Sequence, residues 1–300
     1  MRRLCLILTL TAIVATPAFS QQSAPEIPFE SLPRPLKYSP DMNLGEILGI
    51  AVNSVGHIVI LNHPGSANQG PIWSNSTTQL LEFDQDGYYV GEIGKGVYGI
   101  AYAHQVRFDD EDNLWVVDKA ANTVIKFDPD GYVSMNLGRR EEGYHGDVEL
   151  PNQREARAVG GYFNGPTDVA WDPDGNIFVS DGYVNSRMVK FDMNGNFLMD
   201  WGSYGSDIGQ FNLPHTMQAD REGNIYVGDR SNRRIQVFDS DGNFLRVLLM
   251  NVPYPADYQP PYTAINPNRR LPDATQPWSM CITDSTPQEI WVSDNEPGRI

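Results

Sequence analysis

Two histidines, His104 and His215, occupy the same place in a repeated unit of this 300-residue chain. Each lies fourteen residues before an aspartate that closes a short β run, Asp118 and Asp229 respectively. The same count back from Asp181 reaches Thr167, and in the last unit the matching residue is Trp278, two residues further from Asp294 because of a longer turn. A single histidine at such a turn reads as a hydrogen-bonding residue. Two at one register in alternate units read differently, because in a closed ring of six units the alternate members are related by a three-fold pseudo-axis and their side chains converge. Three imidazoles around one open position form the donor set of a catalytic zinc site. The third is expected in a unit beyond Ile300.

Such convergence demands a scaffold that repeats one element around an axis. The stretch from Phe163 to Trp201 is its clearest copy, with four short β runs (PTDVAW, NIFVSD, RMVKFD and FLMDW) separated by Asp174-Gly175-Asn176, the Gly182 to Ser186 turn and Asn194-Gly195-Asn196. Dipeptides of this kind suit tight hairpins, so each run should fold back antiparallel on the one before. Related units run over 44–94, 99–138, 163–202 and 210–249, with an incomplete one over 276–300. The turn glycines Gly87, Gly131, Gly195 and Gly242 follow at spacings of 44, 64 and 47 residues. Four strands in about 45 residues predict an all-β propeller, whose innermost strands line a central channel. Four and a half units cannot close a ring without leaving an unpaired edge, so the chain is expected to be a truncated copy of a six-bladed one. Two long segments interrupt the repeats, 139–162 and 251–275, and loops of that length are more often functional than idle.

Composition narrows the classes of function. A net charge of −16 argues against nucleic acid and anionic membrane surfaces as partners, since both demand a basic face. The first twenty residues, with Arg2 and Arg3, an apolar run from Leu4 to Val14 and Ala18-Phe19-Ser20, read as a secretory signal peptide followed by a proline-rich extended lead-in over 21–43. The mature protein is expected to be secreted or periplasmic. Cys5 lies in the signal segment, which leaves Cys281 alone and no internal disulfide. The Asp-Pro-Asp-Gly and Asp-Ser-Asp-Gly segments recur once per unit and read as turns rather than calcium loops. Asn75-Ser76-Thr77 matches a glycosylation acceptor by pattern only, and no Gly-rich phosphate loop, Ser-His-Asp spacing or Cys-x-x-Cys motif is present.

The segment GDRSNRRIQVF from Gly228 resembles the NHL repeat. More narrowly, PTDVAW, FVSDGYVNSRMVKF, QFNLPHTM and GDRSNRRIQ resemble the peptidylamidoglycolate lyase family, six-bladed NHL-type propellers that cleave peptidyl-α-hydroxyglycine to a peptide amide and glyoxylate. The resemblance covers roughly Leu44 to Ile300. It implies that His104 and His215 ligate zinc, that Tyr183 is the general base, and that Arg230 holds the carboxylate side of a small-molecule or peptide substrate. It implies a structural calcium held by backbone carbonyls at Ile50 and Val106. A second substrate-binding arginine of the family aligns with His63, which carries less charge and lacks the bidentate fork. A family disulfide is replaced by Asn164 and Val184. The expectation is a monomeric zinc-dependent lyase. The alternative is a non-catalytic NHL propeller that binds a peptide, protein or glycan through its two long loops.

Overall fold

The computed structural model describes residues 30, 32–64, 78–140, 160–250, 276–294 and 300. The signal segment, the first part of the lead-in, the glycosylation pattern and most of the two long insertions lie outside the described residues. The chain divides into a unit of residues 1–31, of which only Glu30 is described, and a unit of residues 32–300 that carries the whole fold.

The fold is all-β and built from propeller blades. Blade A comprises β1 (Glu46–Val52), β2 (Ile58–His63), β3 (Gln79–Phe83) and β4 (Tyr89–Ile93). Blade B comprises β5 (Ala103–Phe108), β6 (Leu114–Asp118), β7 (Thr123–Phe127) and β8 (Val133–Gly138). Blade C comprises β9 (Asp168–Trp171), β10 (Ile177–Asp181), β11 (Arg187–Phe191) and β12 (Phe197–Trp201). Blade D comprises β13 (Pro214–Ala219), β14 (Ile225–Asp229), β15 (Arg234–Phe238) and β16 (Phe244–Leu249), and β17 (Pro277–Ile282) pairs with β18 (Ile290–Asp294) in blade E. Every pairing within a blade is antiparallel and between neighbours in sequence. The hairpin glycines Gly87, Gly131, Gly195 and Gly242 all have φ between 77° and 84°, a region that side-chain-bearing residues rarely adopt.

Second and third strands are buried along their whole length in blades C and D, whereas the fourth strands are largely exposed. In blades C and D both faces of the sheet are therefore covered by neighbouring blades, whereas Leu36 and Met42 of the lead-in, with Leu44, pack on Ile60, Leu81 and Phe83 of blade A. Val59, Leu61 and Leu80 of blade A pack on Val106, Leu114 and Phe127 of blade B. Trp115, Val117 and Val124 of blade B pack on Val169, Val179 and Phe191 of blade C, and the pattern continues from C to D and D to E. Each fully buried side chain of this size contributes about 1.5–3 kcal/mol.

Two polar devices recur with the period of the blades. A residue at the end of each second strand, the last one in blades B to E and the last but one in blade A, accepts the backbone N–H of the chain entering the same blade: Gly45 to Asn62 Oδ1 at 2.8 Å, Ala101 to Asp118 Oδ2 at 2.6 Å, Asn164 to Asp181 Oδ1 and Asn212 to Asp229 Oδ1 at 2.7 Å, and Gln276 to Asp294 Oδ1 at 3.1 Å. The second device closes the first hairpin. Asp109, Asp172 and Asp220 each accept the backbone and side-chain N–H of the asparagine four residues on. The first aspartates of the Asp-Pro-Asp-Gly and Asp-Ser-Asp-Gly segments, Asp128, Asp172 and Asp239, likewise accept turn N–H groups. Lys37 of the lead-in pairs with the Gly87 to Tyr89 segment at the outer edge of blade A.

Candidate functional site

In blades A, B, D and E the first strand is interrupted by a one-residue bulge, and in blades B and D the bulge residue is the one that the fourteen-residue count selects. The ladder skips His104 between Ala103 and Gln105, His215 between Pro214 and Thr216, and Trp278 between Pro277 and Ser279. In blade A it skips Leu48. A bulge leaves its residue outside the ladder and re-aims the side chain. His104 and His215 are thereby turned toward one another, with ring centroids 4.7 Å apart.

Each imidazole is oriented by the next blade. His104 Nδ1 lies 2.8 Å from the carbonyl oxygen of Thr167, and His215 Nδ1 lies 2.7 Å from that of Trp278. A carbonyl can only accept, so both Nδ1 atoms carry the proton and both Nε2 atoms present a lone pair. Those lone pairs face one phenol: Tyr183 Oη is 3.2 Å from His104 Nε2 and 3.5 Å from His215 Nε2. A ring N–H donated to a carbonyl with the other nitrogen free is the arrangement that fixes a metal-ligating histidine. The two imidazoles thus fit a zinc ion, and among the described residues no third histidine, cysteine or carboxylate joins them.

Tyr183 comes from the turn after β10. Its backbone N–H bonds the Gly165 carbonyl at 3.0 Å, and a Cβ on Gly165 would stand only 2.6 Å from Tyr183 Cβ, so the approach requires glycine. Arg230 follows β14 and lays its guanidinium over the Trp278 ring, 3.8 Å from the centroid. The phenol and both imidazoles line a cavity of about 240 Å³ whose remaining wall includes Trp278, Tyr102, Lys119 and Glu46. Tyr102 Oη donates to Glu46 Oε2 at 3.2 Å.

His63 lies outside that lining. It is wholly buried at the end of β2, stacked on Tyr102 with centroids 4.2 Å apart, and its Nδ1 is 4.0 Å from Glu46 Oε2. Ile50 and Val106 sit two residues beyond the bulges of β1 and β5, paired with Ile60 and Val116. These inner strands run close, since a Cβ on Gly49 would lie 3.2 Å from the Val106 nitrogen.

Burial governs the electrostatics. It lowers the pKa of His104 to about 4, with Lys119 adding to the effect, and holds His215 well below the usual imidazole range, with His104 adding to it. Both rings are neutral at neutral pH, the form that binds a metal. Burial raises Tyr183 above the ordinary phenol value while Arg230 acts against the rise. Tyr102 is pushed up to about 12 by burial and then by Glu46. Burial lowers Lys119, and Glu46 opposes it.

Sequence reasoning missed Lys119, Tyr102 and Glu46. A signal for the first existed, because Lys119 follows Asp118 just as Arg230 follows Asp229. It also missed Arg107 and Asp168, whose buried ion pair stands directly behind Thr167.

The NHL repeat family model matches residues 163–191 and 211–238. A probable peptidyl-alpha-hydroxyglycine alpha-amidating lyase of Caenorhabditis elegans is 29% identical over 220 residues, covering 68% of this chain and 58% of that protein. The peptidyl-glycine alpha-amidating monooxygenase A of Xenopus laevis is 32% identical over 232 residues, covering 69% of this chain and 23% of that protein. This chain therefore spans little more than half of the worm protein and about a quarter of the frog one. Among solved structures, a catalytically inactive virginiamycin B lyase from Staphylococcus aureus with quinupristin superposes with a TM-score of 0.52 at 14% identity, covering 85% of this chain and 65% of that one. At that identity the likeness speaks for the fold alone. The chain carries NHL repeats and resembles the amidating lyases.

Proposed function

We propose that this protein is an exported zinc-dependent lyase that cleaves peptidyl-α-hydroxyglycine, or a similar α-hydroxy-amide, to an amide and glyoxylate. The observation that carries this reading is the aim of two carbonyl-anchored imidazoles at one phenol, which leaves both Nε2 lone pairs facing a single point. Similarity to amidating lyases supports the reaction class. His104 and His215 would hold the metal, with a third protein donor from outside the described residues. When bound, the ion would supply Lewis acidity toward the substrate hydroxyl and a positive charge beside Tyr183.

This chain's own residues account for the rest. Tyr183 accepts the proton of the carbinol hydroxyl at Oη. The oxygen's electron pair forms the aldehyde carbonyl of glyoxylate, the C–N bond breaks, and the amide nitrogen leaves with the bonding pair and takes up a proton. Burial favours the protonated phenol and Arg230 opposes it, so the cations around Oη set how readily the base forms. Arg230, held flat on Trp278, offers a fork of N–H donors to the carboxylate. A calcium ion near the Ile50 and Val106 carbonyls remains part of the reading as a structural element.

The test is zinc content together with glyoxylate release from α-hydroxyhippurate. Wild-type protein is expected to hold one zinc and turn over, and His215→Ala to lose both. Tyr183→Phe should keep the zinc while kcat falls by roughly 10²–10⁴. Folded protein that takes up no zinc and releases no glyoxylate would overturn the reading and favour a binding propeller.

A further inference from the structure

One cation in the cavity wall has no part in the mechanism above. Lys119 follows the last residue of β6 as Arg230 follows the last residue of β14, so blades B and D, on either side of the blade that carries Tyr183, each deliver a cation at the same register. Its Nζ stands 4.7 Å from the centroid of the Tyr102 ring and 4.8 Å from that of the Tyr183 ring, and all three side chains line the cavity. Lysines usually keep the ammonium in water and bury only the stem. Here the head group is drawn in between two rings, and it forms no ion pair among the described residues. The adjacent Asp118 acts on it only through space, because its carboxylate oxygens accept the backbone N–H groups of Ala101, Ala120 and Ala121. An ammonium in this setting has lost part of its hydration, Glu46 and Asp118 offset that only through space and without a direct ion pair among the described residues, and an anion entering the cavity would supply the missing contact.

The residue at the same register in blade A cannot take that role. His63 is wholly buried outside the cavity lining, its ring tilted against that of the lining residue Tyr102, and burial holds its pKa below the ordinary imidazole value. A neutral ring outside the cavity brings no charge to a ligand inside it. The positive charge lies one blade further on.

We propose that Lys119 is a specificity-determining residue of this cavity: with Arg230 it binds the carboxylate of the ligand, so the site takes α-hydroxy-amides that carry a free acid and rejects their neutral counterparts. The assignment rests on the lyase reading for the identity of the reaction. Its anion preference can be measured without turnover.

The protein, loaded with zinc, is titrated by calorimetry with hippurate and with hippuramide, which replaces the carboxylate by a neutral amide. Wild type is expected to favour hippurate by about tenfold or more, the size of one charge-assisted contact. Lys119→Met should weaken hippurate binding by about tenfold while hippuramide binding changes little, and Lys119→Arg should keep most of the preference. In glyoxylate release from α-hydroxyhippurate, the loss in Lys119→Met should fall mainly on KM. Unchanged circular dichroism and zinc content certify the variants. If Lys119→Met binds hippurate as tightly as wild type, or wild type shows no preference for the acid, the assignment is overturned, and glyoxylate release by wild type would leave the lyase reading standing. If wild type releases no glyoxylate yet shows a Lys119-dependent preference for hippurate, the lyase reading falls and the assignment holds.

Discussion

Replacing Arg107 by Met removes the cation from a buried hub that ties four blades together directly behind the two histidines. Arg107 Nε and Nη2 bond Asp168 Oδ1 and Oδ2 at 2.7 and 2.6 Å, joining blade B to blade C. Asp168 Oδ2 also accepts the Thr216 hydroxyl at 3.0 Å and the Met217 N–H at 2.9 Å, and Thr216 Oγ1 in turn accepts the Met280 N–H at 3.1 Å. The carboxylate has no exposure at all. Removing one partner of a buried pair costs about 3–5 kcal/mol, because the other charge is left uncompensated. Asp168 would keep three donors, Val169 N–H, Thr216 Oγ1–H and Met217 N–H, so the lower end, about 3 kcal/mol, is expected. Urea unfolding followed by tryptophan fluorescence measures the loss. The double variant Arg107→Met with Asp168→Asn removes the stranded charge and should recover a good part of it. Asp168 adjoins Thr167, whose carbonyl orients His104, so the single variant should also bind zinc about 10–100-fold more weakly. A loss below about 1 kcal/mol, or a double variant no more stable than the single one, would refute the claim that charge compensation holds this hub together.

Two further outcomes follow from the same geometry. A Cβ on Gly182 would overlap the Pro214 carbonyl oxygen and press on Thr167, so Gly182→Ala should cost roughly 1–3 kcal/mol in urea unfolding and lower zinc affinity through the displaced His215. His63 carries a pKa lowered by burial, with Glu46 opposing, so the unfolded chain takes up its proton at higher pH than the folded one. Its contribution to stability is therefore present above roughly pH 6.5 and lost as pH falls below that, at no more than about 1.4 kcal/mol per pH unit. Thermal unfolding between pH 7 and pH 5 should show a shallower decline in His63→Gln than in wild type, and parallel curves would count against it.

The blades were legible because their signals are local. Turn glycines at φ near 80° and period-two strands need only nearby residues, so the strands of blades B and C fall where alternation and Asx turns put them. The histidine register was legible for a less obvious reason. The bulge and the aspartate that closes β6 or β14 belong to one hairpin, and the clamp to the incoming backbone fixes the offset between them. What the sequence hid depends on side chains crossing between blades. Arg107 alternates with apolar neighbours and reads as a solvated face, yet an inner strand turns that face toward the other blades, where Asp168 waits 61 residues away. Lys119 reads as a turn lysine until Tyr102 and Tyr183 are seen on either side of it. The burial of His63 depends on Tyr102, a residue outside its own sheet.

The division of labour within each blade explains how such a scaffold can acquire chemistry. The clamp residues Asn62, Asp118, Asp181, Asp229 and Asp294 and the Asx turns are spent on closing hairpins, and they recur almost unchanged. Two kinds of position are exempt from that duty. One is the bulge, occupied by Leu48, His104, His215 and Trp278, and the other is the residue after the clamp, occupied by His63, Lys119, Gly182 and Arg230. The bulge residues stand outside the strand ladder, so substitution at the bulge alters the site while leaving the pairing of the sheet intact. Because the next blade's carbonyl orients the bulge residue, as Thr167 does for His104 and Trp278 for His215, a histidine placed at that position arrives with Nδ1 already protonated and Nε2 directed inward. Metal affinity at such a site should then depend as much on the carbonyl of the neighbouring blade as on the imidazole itself, which is why the Arg107–Asp168 hub, although it touches no ligand, belongs to the machinery of the site.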